Sequence, residues 1–387
     1  MKPKTVKTMK RYLHTLTCLA AAVLVLLLAA CSADDGAGTE ATGAKPAAVA
    51  FSATVPAFQT RSIIGSTTAL QASAGFGVFA YHTGNSPWAS AGASATPNFM
   101  YNQQVTYAAT SWQYSPVKYW PSDNNPADET GATGSQTYSY VSFFAYAPYN
   151  GSGLTPSANT ATGAPTIGYT WTNTTDPNSQ TDLLYASQTD CYKTMDAGYG
   201  AVSGRVPFLF RHTLTAIEFK VRRKELSGDQ IFLQSLSLNA SDDATAASSS
   251  QATLNTRGTF NLGSPGWISS SFGTGTPKFN YPAEVINTAL TSTGTGVTAI
   301  TSETAHALTS YTPNLLLLMP QESTVTIPFT LSYTLGGAAK SPSGTVIFTK
   351  PTDGWAIEMG RKYTVVFVID GGEVESYLLR AKEAEQW

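Results

Sequence analysis

The chain has 387 residues and a formal net charge of −2, and it is 12% charged, 42% hydrophobic and 11% aromatic. So low a charge density excludes a coiled coil or a charged disordered chain, and the slight acidity excludes a protein held on nucleic acid by phosphate contacts. Three cysteines and four histidines are too few for a dense disulfide scaffold or a histidine-rich metal site.

The first segment of the chain is typical of a secretion signal. Five basic residues precede an apolar run, Leu19–Leu28, which leads into Ala29, Ala30 and Cys31. The run is shorter than the roughly 20 apolar residues that a membrane-spanning helix needs. A basic start, a short apolar run and small residues before a cut define a signal peptide. We therefore predict that residues 1–30 are a signal peptide that is removed.

The end of this signal resembles a bacterial lipobox, Leu28 to Cys31. That resemblance implies cleavage between Ala30 and Cys31 and attachment of lipid, palmitate included, to Cys31. Acyl chains bind a membrane with about 0.8 kcal/mol per buried CH₂. Asp34 and Asp35 resemble the export signal that sends lipoproteins of Bacteroidota to the outer face of the outer membrane. We therefore predict a surface-exposed lipoprotein of the outer membrane.

Residues 31–48 are mostly Ala, Gly, Thr and Asp, a composition that predicts a flexible tether. Loss of residues 1–30 removes five basic and no acidic residues, so the mature chain carries a formal charge of −7. Cys191 is then the one cysteine without lipid, and no intramolecular disulfide can form. The folded part is expected to start near Val49.

Short apolar or aromatic runs bounded by Gly, Ser, Thr, Asn and Pro recur from there to the C-terminus. Runs of β-branched and aromatic residues between turn formers are typical of strands. We predict strands at 49–55, 76–81, 141–146, 206–210, 217–221, 231–233, 315–319, 325–329, 346–348 and 363–369.

The remaining segments are expected to be less regular. Ser-, Thr-, Gly- and Asn-rich stretches at 84–97, 122–138, 150–180 and 240–300 predict long loops with weak strands inside them. Near the C-terminus, Val374–Leu379 is the better strand, although Leu378–Gln386 contains helix formers. The pattern predicts an all-β fold of two β-sandwich domains, 49–200 and 201–387, divided in an irregular stretch at 187–204.

No motif for catalysis or metal binding occurs in the sequence. Nucleophile-elbow, P-loop, His-Glu-x-x-His and Cys-x-x-Cys patterns are absent. His82, His212 and His306 are far apart and are interpreted as surface or structural residues. The carboxylate pairs Asp242–Asp243 and Glu373 with Glu375 are interpreted as solvated turns. We therefore expect no enzyme activity, no cofactor and no metal.

Aromatic residues are concentrated in one part of the chain. Such residues can bind sugar rings, but they also fill sandwich cores and form cross-strand pairs. We interpret them as core and strand-pairing residues. The residues in question are Trp112, Tyr114, Tyr119, Trp120, Tyr138, Tyr140, Tyr146 and Tyr149.

Several segments, in order along nearly the whole mature chain, resemble the fimbrillin family of Bacteroidales, which includes the stalk, anchor and tip subunits of type V pili. The resemblance implies two transthyretin-like β-sandwich domains in tandem behind the lipoprotein signal. It also implies trimming by a trypsin-like protease after an arginine near the first strand. The matching segments are Phe76–Tyr81, Leu183–Ala186, Phe210–Val221, Leu317–Gln321 and Gly360–Thr364.

The processing position that this resemblance implies is the bond between Arg61 and Ser62, because Arg61 is the first arginine of the mature chain. Cleavage there would remove Cys31 with its lipid, the tether and the strand at 49–55. An extended C-terminal segment of the next subunit would then fill the groove, and subunits would join head to tail. The donor residues are expected to be Val374, Ser376, Leu378 and Trp387, although the stretch 380–386 is poor in strand formers.

The resulting prediction is a structural subunit of a type V pilus, bound to other fimbrillin-type subunits and supporting adhesion to a host or bacterial surface ligand. The alternative is a non-polymerising surface lipoprotein, either a pilus anchor or a glycan-binding protein. The residues leave stalk, anchor and tip positions open. Nucleic acid is not an expected partner.

Overall fold

In the computed structural model the chain is almost entirely β, which confirms the all-β prediction. The structure describes residues 47–56, 64–121, 139–172, 180–193, 205–224, 229–240, 251–282, 285–287, 290, 305–308 and 315–380. Contacts join Pro46–Trp387 into one unit. No helix within these ranges is long and apolar enough to cross a membrane.

The helices within these ranges are short, α1 (Thr67–Ala72) and α2 (Trp88–Ala91), and a 3₁₀ turn lies at Ser269–Ser271. In chain order the described strands are β1 (Ala50–Thr54), β2 (Phe76–Gly84), β3 (Met100–Ala108), β4 (Ser111–Gln113), β5 (Tyr140–Ala147), β6 (Leu154–Pro156), β7 (Thr166–Thr170), β8 (Leu184–Cys191), β9 (Arg205–Leu209), β10 (Arg211–His212), β11 (Thr215–Arg223), β12 (Ile231–Leu238), β13 (Leu254–Asn261), β14 (Gly266–Trp267), β15 (Gly273–Gly275), β16 (Phe279–Tyr281), β17 (His306–Ala307), β18 (Leu315–Leu318), β19 (Val325–Leu335), β20 (Ala338–Lys340), β21 (Ser343–Phe348), β22 (Lys362–Asp370) and β23 (Glu373–Arg380).

A six-stranded antiparallel sheet, in the order β10-β8-β5-β2-β3-β4, forms the centre of the N-terminal part. Residues 76–81 of β2 and 141–147 of β5 are buried at every position, because both faces of the sheet are covered there. Side chains alternate between the faces of a strand, so Phe76 and Val78 enter one apolar cluster while Phe79 and Tyr81 enter the other.

The first of these clusters lies between the six-stranded sheet and a separate two-stranded parallel sheet made of β1 and β9. Phe51 of β1 reaches the rings of Phe76 and Phe143 on β2 and β5. The β1–β9 sheet therefore covers one face of the N-terminal sheet.

Two five-stranded sheets form the C-terminal sandwich. One contains β11, β17, β18, β22 and β23, and the other contains β12, β16, β19, β20 and β21. Phe367 of β22 and Phe329 of β19 meet across the two sheets, with ring centroids 4.8 Å apart. A further sheet of β6, β7, β13, β14 and β15 joins strands from both halves of the sequence, because β13 pairs with β7.

Strand pairing continues across residue 200. Strand β9 pairs with β1, and β10 pairs with β8. The division into domains 49–200 and 201–387 stays a prediction, but one detail of it is corrected. Residues 187–191 are the end of β8 rather than part of an irregular stretch, because Cys191 is buried in the core and pairs with Val141.

All the apolar runs predicted as strands contribute to strands. The predicted loops at 150–180 and 240–300 contain β6, β7 and β13 to β16. Weak strands are predicted inside these loops, and they are present; their signal is weak because they are short and rich in Gly, Thr and Asn. Strand β23 (Glu373–Arg380) confirms the strand predicted at Val374–Leu379. The helix formers noted from Leu378 onward do not end it before Arg380, and residues 381–387 lie outside the described ranges.

Candidate functional site

The candidate site is the groove that holds β1. The strand runs parallel to β9 in an unbroken register from Ala50 opposite Arg205 to Thr54 opposite Leu209. Beyond its end, the Phe210 N–H donates to the Thr54 carbonyl at 2.9 Å. This pairing supplies main-chain hydrogen bonds that do not depend on the sequence of the strand.

The start of β1 is held on its other side by the segment 118–120. The Val49 N–H donates to the carbonyl of Lys118, and the Trp120 N–H donates to the carbonyl of Ala47, each at 2.9 Å. Ala48 and Tyr119 form an antiparallel bridge between these bonds. The segment 47–54 therefore lies between two chain segments distant in sequence.

Alternate side chains of this segment are buried. Val49, Phe51, Ala53 and Val55 are each at most 5% exposed, whereas Ala48 and Thr54 are exposed. This is the period of a strand with one face on a core. The strand predicted at 49–55 is confirmed.

Phe51 is the centre of the buried face. A ring surrounded by rings gains both burial and favourable aromatic geometry, worth about 0.5–1.5 kcal/mol per pair beyond area. Removal of β1 would therefore leave an aromatic-lined groove. The rings in contact with Phe51, with their centroid distances, are Phe76 (6.2 Å), Tyr114 (5.4 Å), Phe143 (5.9 Å) and Phe208 (5.5 Å).

Tyr114 also holds the backbone of the strand. Its hydroxyl donates to the Val49 carbonyl at 2.7 Å. Burial raises the pKa of the Tyr114 phenol, and a hydrogen bond with the backbone of Lys118 opposes this shift. The phenol is therefore protonated at neutral pH and able to donate. Sequence analysis gave no signal for this role beyond the aromatic cluster itself.

A second contact joins the end of the strand to helix α1. The Val55 N–H donates to Thr67 Oγ1 at 3.0 Å, and that hydroxyl lies 3.4 Å from the Val55 carbonyl. The helix begins after Ser66, whose Oγ accepts from the Ala69 N–H at 3.1 Å. A serine at this position satisfies an amide that the helix leaves unpaired. The contact keeps residues 55 and 67 together on either side of the segment 57–63.

Several of the sequence-predicted site residues lie outside the described residues. The structure therefore carries no geometry for lipidation, for surface export or for the processing bond. The residues are Ala30, Cys31, Asp34, Asp35, Arg61, Ser62 and Trp387.

The other predicted donor residues lie on β23, the edge strand that pairs antiparallel with β22 along its whole length. Val374 and Leu378 pack partly buried against the C-terminal core. Ser376 Oγ donates to the Thr345 carbonyl of β21 at 2.8 Å. In this arrangement β23 is part of a sheet of its own subunit. It pairs with β22, and it has no pairing with β1 or β9, which form a different sheet.

The histidines have structural surroundings. Nδ1 of His212 lies 3.0 Å from a carboxylate oxygen of Asp182, and both side chains are buried. Nε2 of His82 lies 2.6 Å from the Ser139 hydroxyl. The sequence missed the His212–Asp182 pair because the partners are 30 residues apart. Nowhere in the described part of the chain do three or more His, Cys, Asp or Glu side chains gather as metal ligands would.

Other chemically interesting groups are inert or solvated. Burial, reinforced by the charge of Asp190, raises the pKa of Cys191 to about 12, so this thiol is not a nucleophile at neutral pH. Glu373 and Glu375 are exposed, and Glu375 lies 3.8 Å from Lys224. Asp242 and Asp243 lie outside the described residues.

Most of the aromatic residues concentrated near residue 130 serve the core. Trp120 and Tyr146 are buried, and Trp112 packs on Phe76. Tyr119 is exposed. Trp112, Tyr114 and Trp120 belong to the cluster that faces the groove. Tyr146 and Tyr149 belong to the cluster on the other face of the sheet, and Tyr138 lies outside the described residues.

The chain is similar in sequence and in fold to known proteins. The fimbrillin-like family matches residues 60–378. A curated relative, fimbrium subunit Fim1C of Phocaeicola vulgatus, is 35% identical over 167 residues, which are 41% of this chain and 39% of that protein. The chain thus aligns with less than half of that relative's length.

A solved structure, the crystal structure of a fimbrial protein from Bacteroides vulgatus, superposes with a TM-score of 0.62 and 23% identity. The superposition covers 86% of this chain and 99% of that one. At this identity the likeness concerns the fold.

Proposed function

The chain belongs to the fimbrillin-like family, a family of fimbrial structural subunits rather than enzymes, and from this premise we propose that it is a subunit of a type V pilus that assembles by strand exchange at the β1 groove. It would be exported as an outer-membrane lipoprotein and would reach the fimbrium after trimming. The observation that carries the proposal is the placement of β1, a separable strand on an aromatic-lined groove.

The physical basis is strand addition. A groove between β9 and the segment 118–120 presents main-chain donors and acceptors that pair with any extended chain. The buried alternate positions then select large apolar side chains, as Phe51 illustrates. A donor from another subunit would make a head-to-tail contact, which does not close on itself and therefore builds a fibre.

Processing at Arg61–Ser62 would separate β1 from the rest of the subunit. The bond lies in the segment 57–63, between Pro56 and Ile64. Cleavage would leave β1 held by non-covalent contacts alone, among them those with β9, the segment 118–120, Tyr114 and Thr67. The same cut would release the lipid on Cys31. A trypsin-like protease is the expected partner for this step.

The donor is proposed to be the C-terminal segment with Val374, Ser376, Leu378 and Trp387. Val374, Ser376 and Leu378 share one face of β23, as alternate residues of a strand do, and they offer a large, small, large pattern. Phe51, Ala53 and Val55 offer the same pattern to the groove. Donation requires β23 to leave β22, with which it pairs in the subunit described here.

A specific observation favours the alternative, a non-polymerising surface lipoprotein that anchors a pilus or binds glycans. Strand β23 is fully paired within its own subunit, and an anchor has no need to donate it. An adhesion ligand on a host or bacterial surface is part of the proposal in either case.

Mass spectrometry of sheared surface fibres and of the membrane pellet tests the proposal. We expect the fibre subunits to begin at Ser62 and the Arg61→Ala variant to stay in the pellet with lipidated Cys31. Arg205→Ala, at an exposed arginine of β9, is the matched control and should be processed normally. A wild-type chain found only in the pellet, still beginning at Cys31, would contradict polymerisation and favour the alternative.

A further inference from the structure

A parallel pair of strands, β11 and β22, lies in the middle of one sheet of the C-terminal sandwich. Its register is unbroken over eight residue pairs, from Ala216 opposite Lys362 to Arg223 opposite Ile369. We propose that this pair bears the tension of the fibre, as a clamp that is loaded in shear. The inference rests on the proposed strand exchange and adds to it a mechanical role for a region outside the groove.

Tension that comes from the groove would enter β11 at its N-terminal end. Strand β9 forms one side of the groove, and the chain runs from β9 through β10 into β11 within residues 205–223. A neighbouring subunit whose strand occupies the groove would therefore pull on β11 at Thr215, where the strand begins.

Tension that comes from the other neighbour would enter β22 at its C-terminal end. When β23 leaves its subunit as the donor, it stays covalently joined to β22 through Gly371 and Gly372. The donated strand would therefore pull on β22 at Asp370, where the strand ends. This conclusion holds for either direction of the donor in the groove, because the loaded end of β22 is set by chain connectivity.

The two strands would thus be pulled at opposite ends, and this arrangement loads the pair in shear. The main-chain hydrogen bonds of a parallel pair are evenly spaced, so in shear they share the load and must break together. Strands that are pulled at the same end separate one bond at a time. Forced unfolding is governed by the rate of unfolding, and a step that breaks many bonds together is slower under the same force.

Further contacts between the two strands lie near both ends of the pair. Near its start, Nζ of Lys362 lies 3.1 Å from a carboxylate oxygen of Glu218. Beyond its last residues, the Lys224 N–H donates to the Ile369 carbonyl at 2.9 Å, and Nζ of Lys224 lies 2.8 Å from a carboxylate oxygen of Asp370. A sliding motion would have to break these contacts together with the ladder.

Single-molecule pulling on the monomer tests the direction of loading. One DNA handle is attached through an azide-bearing residue in place of Leu209 on β9. The second handle is attached in the same way either at Gly372, just after β22, or at Arg361, just before it. The first geometry loads opposite ends of the pair and the second loads the same end, so we expect a peak force about twofold or more higher in the first.

An engineered disulfide identifies which strands separate at the peak. Glu218→Cys with Thr364→Cys joins partner positions of β11 and β22, and strands about 4.8 Å apart are within the reach of a disulfide. Gly168→Cys with Thr259→Cys is the matched control, because it joins β7 to β13, a pair that also connects the two halves of the sequence. Each protein is pulled from positions 209 and 372, oxidised and then reduced.

We expect oxidation to abolish the peak of the β11–β22 variant and reduction to restore it, with no change in the control. Equal peak forces in the two geometries, or a peak that the β11–β22 disulfide leaves unchanged, would overturn the inference and leave strand exchange standing. The pulling result does not depend on polymerisation. Fibres in which β23 stays paired with its own β22 would instead contradict the proposed donor, and the load path with it.

Discussion

The ring of Phe51 stacks on the ring of Phe208, with centroids 5.5 Å apart and planes inclined by 12°. The two residues lie on β1 and β9, which are far apart in sequence and parallel in space. Phe51 thus connects the first described strand to a strand that follows β2, β3, β4, β5 and β8 of the N-terminal sheet in sequence. If the chain were cut between β1 and helix α1, this stacking would be one of the non-covalent contacts that hold β1 in its site.

Phe51→Ala should destabilise the uncleaved protein by about 3–5 kcal/mol, because it removes a buried ring from contact with four others. Urea unfolding followed by tryptophan fluorescence measures the change. Ser52→Ala, which alters the outward neighbour on the same strand, should change stability by less than about 0.5 kcal/mol. Equal effects of the two substitutions would show that Phe51 does not anchor the strand.

Tyr114→Phe should speed the loss of β1 from the cleaved protein about fivefold. The substitution removes the hydroxyl that donates to the Val49 carbonyl, a bond worth about 1 kcal/mol, and keeps the ring that packs on Phe51. The rate is measured by labelling residue 47 with a fluorophore and following the dissociation of the labelled β1 segment from the cleaved protein. Tyr119→Phe removes an exposed hydroxyl and serves as control, and a rate for Tyr114→Phe no faster than this control would refute the prediction.

Asp182→Ala should destabilise the protein by about 3 kcal/mol or more. The carboxylate contacts Nδ1 of buried His212 at 3.0 Å, and removal of one member of a buried pair leaves the other poorly compensated. The matched control is Asp370→Ala, which breaks a half-exposed ion pair with Lys224 and should cost less than about 1 kcal/mol. Chemical unfolding at pH 7 compares the two, and similar losses would mean that the buried pair is not structural.

We predict that the buried thiol of Cys191 lowers the free energy of unfolding in alkali. Burial raises its pKa from an ordinary 9.0 to about 12 in the folded protein, so the unfolded chain releases this proton first as the pH rises. The stability that the protonated Cys191 thiol contributes is fully present below pH 9 and declines between pH 9 and 12. Unfolding midpoints measured across this range should fall less steeply in Cys191→Ala. Burial also raises the pKa of Tyr146 to about 12, so this residue lowers stability in alkali in the same direction. Its effect is present in both the wild type and Cys191→Ala and does not account for a difference between them.

Local pattern was enough to predict much of the fold. The segment 49–55 is predicted as a strand, and the structure has that strand, with Val49 and Phe51 buried on one face. The continuous apolar runs at 76–81 and 141–146 become the central strands β2 and β5. A run of apolar residues reflects the burial of a strand. Strands that are covered on both faces have the longest such runs and are therefore the easiest to predict.

Partnership between strands could not be predicted, since it depends on contacts between distant segments. No property of residues 49–55 indicates that Phe51 meets Phe208, or that β1 and β9 are parallel. Tyr114 and Thr67 hold β1 through single hydrogen bonds to backbone atoms, and such bonds leave no pattern in the sequence. The proposed processing bond between Arg61 and Ser62 is the opposite case, because a trypsin-like protease would read local sequence, and this bond stays a prediction.

The central claim is that the groove exchanges β1 for a strand of another subunit, and photo-crosslinking from position 114 tests it most directly. A photoreactive phenylalanine derivative in place of Tyr114 would lie beside Val49 and Phe51, and mass spectrometry would identify the crosslinked peptide. In uncleaved monomer the account predicts a crosslink to residues 47–55 of the same chain, and in sheared fibres a crosslink to residues 373–387 of another subunit. A crosslink to residues 47–55 in the fibres as well would contradict it.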